Sequence, residues 1–446
     1  MDEKAKRKLD LFFDRFVFKH WAAWYCALTM VLGIVICLCA LPNCQTMEYT
    51  AKPNDLYGQP QYVQYADAVL KGRLSLDIEP SKELLALENP YNPEGRDGKL
   101  YFLWDTAFYN NRYYCYFGIA PVLTTYIPFY FVTGLMPDNV TASMIISIYA
   151  VVFGVLAAFA LARRLAPKAP LWMVSVASFT LILLANIFTC LSDSKMYMIP
   201  LLSGLASGFA FLYFALKALE VKKKWAKNTL WVLSGISYVL IVASRPSMAL
   251  AFMGFLPLVF FDIFQQGKIQ VWLPSLVYLG TPVVLGALAI MWYNGARFSG
   301  PFDFGNSYQL TVHDCREYTM SLKMLPYAFI HYFVQGPSYG GNFPWLKASY
   351  YTMDYGRYLY VDKCLGVLAY PATIMAFFSP AVCSFKKDLG KTLSFLCIPI
   401  LCLLVAWVDT CTGVHYRYVY DILAVFSIPA LMTWLDVYTR SKGKMK

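Results

Sequence analysis

Eleven apolar stretches, each long enough to cross a bilayer, restrict this chain more than any other feature. A spanning helix needs about 20 mostly apolar residues. Such stretches lie at roughly 20–42, 118–136, 140–162, 170–190, 197–219, 228–244, 246–264, 270–293, 364–384, 390–408 and 418–438. Only 15% of the 446 residues are charged and 58% are hydrophobic, against about 25% charged in soluble domains. Soluble enzymes, disordered chains and small disulfide scaffolds are thereby excluded. The expected class is an all-α polytopic membrane protein, a single membrane domain over 1–446.

The net charge of +11 raises the question of a nucleic-acid partner. The positions of the charges answer it. Basic residues cluster at the ends of apolar runs: Lys4, Lys6, Arg7 and Lys8; Arg163, Arg164 and Lys168; Lys222, Lys223, Lys224 and Lys227; Lys386, Lys387 and Lys391; Arg440, Lys442, Lys444 and Lys446. This is the positive-inside pattern of a membrane protein, with the lipid bilayer as partner and no nucleic acid.

An odd number of crossings would put the two basic termini on opposite sides, so one run is not expected to span. The stretch 118–136 contains Pro121 and Pro128 and follows a dense aromatic run. It fits a re-entrant or interface-lying helix. About ten transmembrane helices remain. Both termini and every short basic cluster then fall in the cytoplasm of a multi-pass cell-membrane protein. Residues 43–139 become a first extracytoplasmic loop with seven Lys/Arg against eleven Asp/Glu. Residues 294–362 form a second, with five of each. The first apolar run is about 22 residues long with no A-x-A-like site after it, and reads as a retained helix. Ser244-Arg245-Pro246 turns the chain between two short helices.

On this map the chemistry collects on the outer side. Asp55, Asp67, Asp105, Asp193, Lys195, Arg245, Arg297, His415, Arg417 and Asp421 all face outward. Cys44, Cys115, Cys315, Cys364 and Cys411 do as well, and some have the chance to pair in an oxidising compartment. The other cysteines read as packing residues. No Walker A sequence and no D-x-D triplet occurs, which argues against an ATP-driven motor and a metal-dependent nucleotide-sugar enzyme. No spacing suggests a metal site, and no cofactor is expected. An energised donor on that side would be lipid-linked.

Within the first loop, Gln59 to Leu70 has helical spacing and ends at Lys71-Gly72-Arg73, a glycine stop. Asn89-Pro90-Tyr91-Asn92-Pro93 is a turn cluster. The run Trp104 to Gly118 is aromatic, with Asp105 and Arg112 embedded in it. The tyrosines alone fit an interfacial belt, whereas charges beside a bilayer are usually paired or functional.

The order of these features resembles the GT-C class of integral-membrane glycosyltransferases, which includes protein O-mannosyltransferases and lipid A aminoarabinose transferases. A first helix leads into a long acidic loop, an amphipathic helix and Tyr116-Phe117-Gly118-Ile119-Ala120-Pro121. The next spanning helix ends in Arg163-Arg164. Ser192-Asp193-Ser194-Lys195-Met196-Tyr197, the segment from Tyr293 to Gly305, and His415-Tyr416-Arg417-Tyr418-Val419-Tyr420-Asp421 are similar to later segments of the class. The likeness spans most of the chain. In one place it departs from the pattern: the acidic pair that usually precedes the amphipathic helix is replaced by Gly58-Gln59.

The resemblance implies a glycosyltransferase of cell-envelope glycan biosynthesis. It would move a sugar from a polyprenyl-phosphate donor to a glycan, lipid or protein acceptor at the extracytoplasmic face. An acceptor hydroxyl needs a carboxylate to take its proton, and the departing phosphate needs cations. On that basis Asp55 is the first candidate base and Asp67 the second, with Asp193 in support. Arg417, then Arg297 and Arg245, are the candidates for the donor phosphate. Asp105, Arg112, His415, Tyr418 and Asp421 are supporting residues. The structural alternatives are an Arg417–Asp421 ion pair on one helix face, Arg245 as a snorkelling helix end, and Asp67 as a solvated helix residue. The functional alternatives are a transporter or flippase of a lipid or glycan, or a catalytically inactive partner on a GT-C-like scaffold. Against transport, the cores of the runs are almost free of charge and the two halves do not repeat.

Overall fold

The computed structural model describes residues 3–41, 61–96, 100–342, 345–382 and 388–444. Asp55, Cys44 and Gly58-Gln59 lie outside the described residues. In chain order the helices are α1 (Glu3–Ala40), α2 (Gln61–Leu70), α3 (Lys82–Leu85), α4 (Ile127–Thr133), α5 (Asn139–Leu165), α6 (Leu171–Leu184), α7 (Ile187–Ser192), α8 (Met198–Glu220), α9 (Lys224–Ser244), α10 (Pro246–Phe252), α11 (Leu256–Phe264), α12 (Ile269–Arg297), α13 (Leu325–Phe329), α14 (Met375–Val382), α15 (Leu389–Thr410) and α16 (Tyr416–Lys444). Two short hairpins complete the set: β1 (Ala107–Tyr109) with β2 (Arg112–Tyr114), and β3 (Ser338–Tyr339) with β4 (Leu346–Lys347).

The chain is an all-α polytopic membrane protein. Among the described residues nine helices are long and apolar enough to cross a bilayer: α1, α5, α6 with α7, α8, α9, α10 with α11, α12, α15 and α16. In lipid a helix is the way an open segment satisfies all its backbone groups. Helix α8 is the centre of the bundle, with 83% of its most apolar window buried, and α12 is peripheral, with 11%. Breaks in the spans have local causes. Asn186 sits at φ 53 between α6 and α7. Pro246 opens α10 immediately after Arg245, where the chain is extended at φ −150 and ψ 105.

The stretch 118–136 does not span. A five-residue π-helical turn, Val122–Tyr126, runs into α4, and Val122–Thr133 is too short to cross. The amphipathic helix of the first loop forms as α2. Its buried face, Tyr62, Tyr65, Ala66 and Ala68, packs on this segment. The Tyr62 ring lies 5.6 Å from that of Tyr126. Helix α2 stops at Gly72, which takes φ 69 so that Arg73 N–H can reach back to Ala68 O at 2.9 Å.

The stretch 364–384, expected as one spanning helix, corrects to a broken path. It forms 3-10 turns at Val367–Ala369 and Pro371–Ile374 and then α14. Pro371, which lacks a backbone donor and disfavours a helical residue before it, separates the two turns. The path still changes face. Val361 bridges to Val414 beside the start of α16, while Asp388 pairs with Arg164 at the end of α5.

Two faces result. At one, the ends of α5, α8, α11 and α16 and the start of α15 meet in ion pairs. The Arg164 guanidinium donates to Asp262 and Asp388, each at 2.8 Å, and Lys391 reaches Asp436 at 3.2 Å. At the other, the loop face, the ends of α9, α12 and α15 meet the starts of α8, α10 and α16 under α2 and the long loops. The bundle thus separates the basic helix ends from the loop face, as the charge map anticipates.

Candidate active site

A cavity of about 660 Å³ opens where those six helix ends converge on the loop face. Three helix N-termini, of α8, α10 and α16, and three C-termini, of α9, α12 and α15, border it, so the helix dipoles offset one another and the charged side chains set its potential. The C-termini of α9 and α12 carry Arg245 and Arg297, cations placed where the helix dipole favours them.

The four cationic side chains on the wall are held differently. Lys195 pairs with Asp193 at 2.7 Å. Arg245 pairs with the fully buried Asp421, which also accepts from Ser247 Oγ at 3.4 Å. Arg297 is 5% exposed and has no carboxylate partner among the described residues. It donates to Cys115 O at 2.9 Å and Asn294 Oδ1 at 3.1 Å, and lies 3.8 Å from the Tyr293 ring centroid. Its Nε is buried without an acceptor. Arg417, in the first turn of α16, stacks 4.2 Å over the Tyr197 ring. Among the described residues it too pairs with no carboxylate. Two guanidinium groups without a direct ion pair in one cavity make a site that draws an anion.

Asp105 is the most constrained carboxylate here. It is 7% exposed and sits at φ 50, a left-handed conformation uncommon for a non-glycine residue. Its N–H donates to Leu310 O at 3.0 Å, and its carbonyl accepts from the Gln61 amide of α2 at 3.2 Å. Its Oδ2 accepts from the hydroxyl of Tyr197, the residue beneath Arg417. The segment after it is pinned as well. A Cβ on Gly118 would overlap the carbonyl oxygens of Ala243 and Ser244, so only glycine lets this strand of chain lie against the end of α9 beside Arg245.

His415 stacks on Tyr360 at 4.9 Å and meets Tyr418 edge-on at 5.0 Å. Burial first, then the Arg417 and Arg245 charges, push its imidazole down to about 3. It is neutral at physiological pH and serves as a packing group between Tyr360 and Tyr418 rather than a cation.

The cavity therefore brings together Arg245, Arg297, Arg417, Asp105, His415 and Tyr418 from the sequence-based set. Asp193 stands just behind it and accepts from the cavity residue Tyr416 at 2.8 Å. Asp421 lies behind the wall and pairs with Arg245, not with Arg417 four residues before it. Asp67 is elsewhere, on the open side of α2, bonded to Lys71 at 2.7 Å. Arg112 is exposed at the β1–β2 hairpin. The sequence reading missed Asp409, at the end of α15 on the cavity wall. A single acid closing a long apolar run was the available signal. Cys115, Cys315, Cys364 and Cys411 are all free thiols in the structure. Among the described residues no three His, Cys, Asp or Glu side chains gather to hold a metal ion.

No family model matches the chain, and no curated protein matches it. Among solved structures it is similar to the apo form of the oligosaccharyltransferase of Archaeoglobus fulgidus, with a TM-score of 0.40 and 12% identity. The match covers 95% of this chain and 52% of that one, so the chain spans about half the length of that protein. A likeness of this size assigns neither fold family nor activity.

Proposed function

We propose that this cavity transfers a sugar from a polyprenyl-phosphate donor to an acceptor hydroxyl, as a GT-C-like glycosyltransferase with its site on the extracytoplasmic side and both termini in the cytoplasm. The observation that carries the reading is the meeting of Arg297 and Arg417, both without a carboxylate partner among the described residues, with the strained, hydrogen-bonded Asp105 in one cavity.

In the reaction, the acceptor oxygen bonds to the anomeric carbon as the bond from that carbon to the phosphate oxygen breaks. The hydroxyl proton passes to a carboxylate, and the polyprenyl phosphate leaves with its charge held by Arg417 and Arg297. Asp105, a buried carboxylate on the cavity wall, is our candidate for this proton. Asp55, a few residues before Gln61, is its rival. Asp193 acts through Tyr416, and Arg245 with Asp421 holds the joint between α9 and α10 on which the cavity is built. The glycan, lipid or protein nature of the acceptor is left to experiment.

The test is release of polyprenyl phosphate from labelled polyprenyl-phosphate hexoses by the full chain in proteoliposomes, with envelope extract as acceptor. Asp105→Asn should lose about 10²- to 10⁴-fold, the usual share of a general base. Arg417→Ala should lose about 10²- to 10³-fold. Asp67→Asn should stay near wild type. A large loss in Asp55→Asn with little in Asp105→Asn would move the base to Asp55. No release from any such lipid, or full activity in Arg417→Ala, would contradict the reading. Gradient-driven movement of the lipid without transfer would point to a transporter instead.

A further inference from the structure

Asp409 is buried on the cavity wall without a direct partner. It lies in the last turn of α15, next to backbone carbonyls at the negative end of the helix dipole, where an acid is unfavourable. It is 9% exposed, and its side chain forms no hydrogen bond or ion pair among the described residues, with Oδ2 fully buried. It is also within electrostatic range of a second acid, Asp421, and of Arg245, which is already paired with Asp421. Burying a carboxylate without a partner is costly. Yet this side chain lines the cavity beside the arginines.

We propose that Asp409 is the sugar subsite of the donor, accepting hydrogen bonds from hydroxyls of the transferred ring. The proposal rests on the glycosyltransferase reading and deepens it. The carboxylate oxygen that is not sealed in, Oδ1, has free acceptor positions for a sugar hydroxyl in the cavity. The sugar is joined to the phosphate, so a phosphate at Arg417 and Arg297 brings the ring into the same cavity. Tyr416 and Tyr418, one turn of chain away at the start of α16, supply flat faces there. A buried acceptor that waits for a hydroxyl also rejects a sugar lacking it, because the carboxylate is then left unpaired.

Two lipids of identical chain separate this from the wider reading: polyprenyl monophosphate, and polyprenyl-phosphate hexoses of gluco, manno and galacto configuration. Their affinities for the purified full chain are measured by thermal-shift titration. In wild type at least one hexose should add about tenfold or more to the affinity of the bare lipid. Asp409→Ala and Asp409→Asn should lose most of that increment without weakening bare-lipid binding, whereas Arg417→Ala should weaken both lipids alike. For the preferred hexose, removing one hydroxyl should reproduce the loss in wild type and have no further effect in Asp409→Ala. Without ligand, both Asp409 variants should melt at or above the wild-type temperature. A sugar increment that is absent in wild type, or intact in Asp409→Ala, would overturn the subsite, as would a melting point lowered by several degrees. Failure of bare polyprenyl phosphate to bind wild type would instead overturn the glycosyltransferase reading on which it rests.

Discussion

Asp105 holds a left-handed backbone and a carboxylate at the same point, and the two have separable consequences. Asp105→Gly relieves backbone strain of about 1 kcal/mol but leaves the Tyr197 hydroxyl without its acceptor, at a cost of similar size. Stability should therefore change by less than about 1 kcal/mol, while transfer falls at least about 100-fold, as for a lost general base. A variant that unfolds would make Asp105 a structural residue. His415 gives a second residue-scale expectation. Its folded-state value of about 3 lies below the ordinary 6.5, so its neutral form is the stable one. It contributes stability that is present above about pH 6.5 and lost as pH falls from there toward 3. NMR of a selectively labelled imidazole should show no titration between pH 5 and 8, and a midpoint near 6.5 would contradict its burial between Tyr360 and Tyr418.

Among the elements, the short pieces on the loop face shape the cavity. Helix α2 holds Asp105 through Gln61 and the 116–119 segment through Tyr62, whose hydroxyl donates to Gly118 O at 3.2 Å. Gly118→Ala would force this segment off the backbone of α9, which cannot yield as a side chain can. A loss of about 1–3 kcal/mol is expected, typical of overpacking, together with weaker binding of polyprenyl phosphate because the cavity edge moves. Wild-type stability in this variant would show that the contact is not tight. The sequence made α2 legible through its apolar periodicity and its glycine stop, and it marked the Tyr116–Pro121 segment. It did not reveal that Gln61 is the link to Asp105, because a glutamine on an amphipathic helix carries no sign of its partner more than forty residues away. Neither could periodicity separate 364–384 from a plain spanning helix. The prolines were visible, but prolines also occur in α12, α15 and α16, where the helix continues past them.

For the molecule as a whole, the most legible feature was the gathering of basic helix ends away from the long loops, because the basic clusters fall at alternate ends of the apolar runs. The structure groups those ends at one face and the cavity at the other. Individual partnerships were not legible. Arg417 and Asp421 have ideal helical spacing for a pair, yet Asp421 belongs to Arg245 from a distant part of the chain. The basic face has its own expected weakness. Arg164→Ala would leave Asp262 and Asp388 without their shared cation, and a loss of about 1–3 kcal/mol is expected on thermal or denaturant unfolding, because these groups are only partly buried. Near-neutral behaviour would mean that these helix ends are held by packing alone. Sidedness is checked with membrane-impermeant thiol reagents on intact cells. Asn111→Cys at the hairpin tip should be labelled and Lys223→Cys should not, and the reverse pattern would place the cavity in the cytoplasm. The central claim is that the cavity takes the phosphate of a lipid carrier. A structure of the full chain in nanodiscs with polyprenyl monophosphate tests it most directly: the phosphate is expected within hydrogen-bond distance of Arg417 and Arg297, and a head group bound away from both, such as at Arg163 and Arg164, would contradict it.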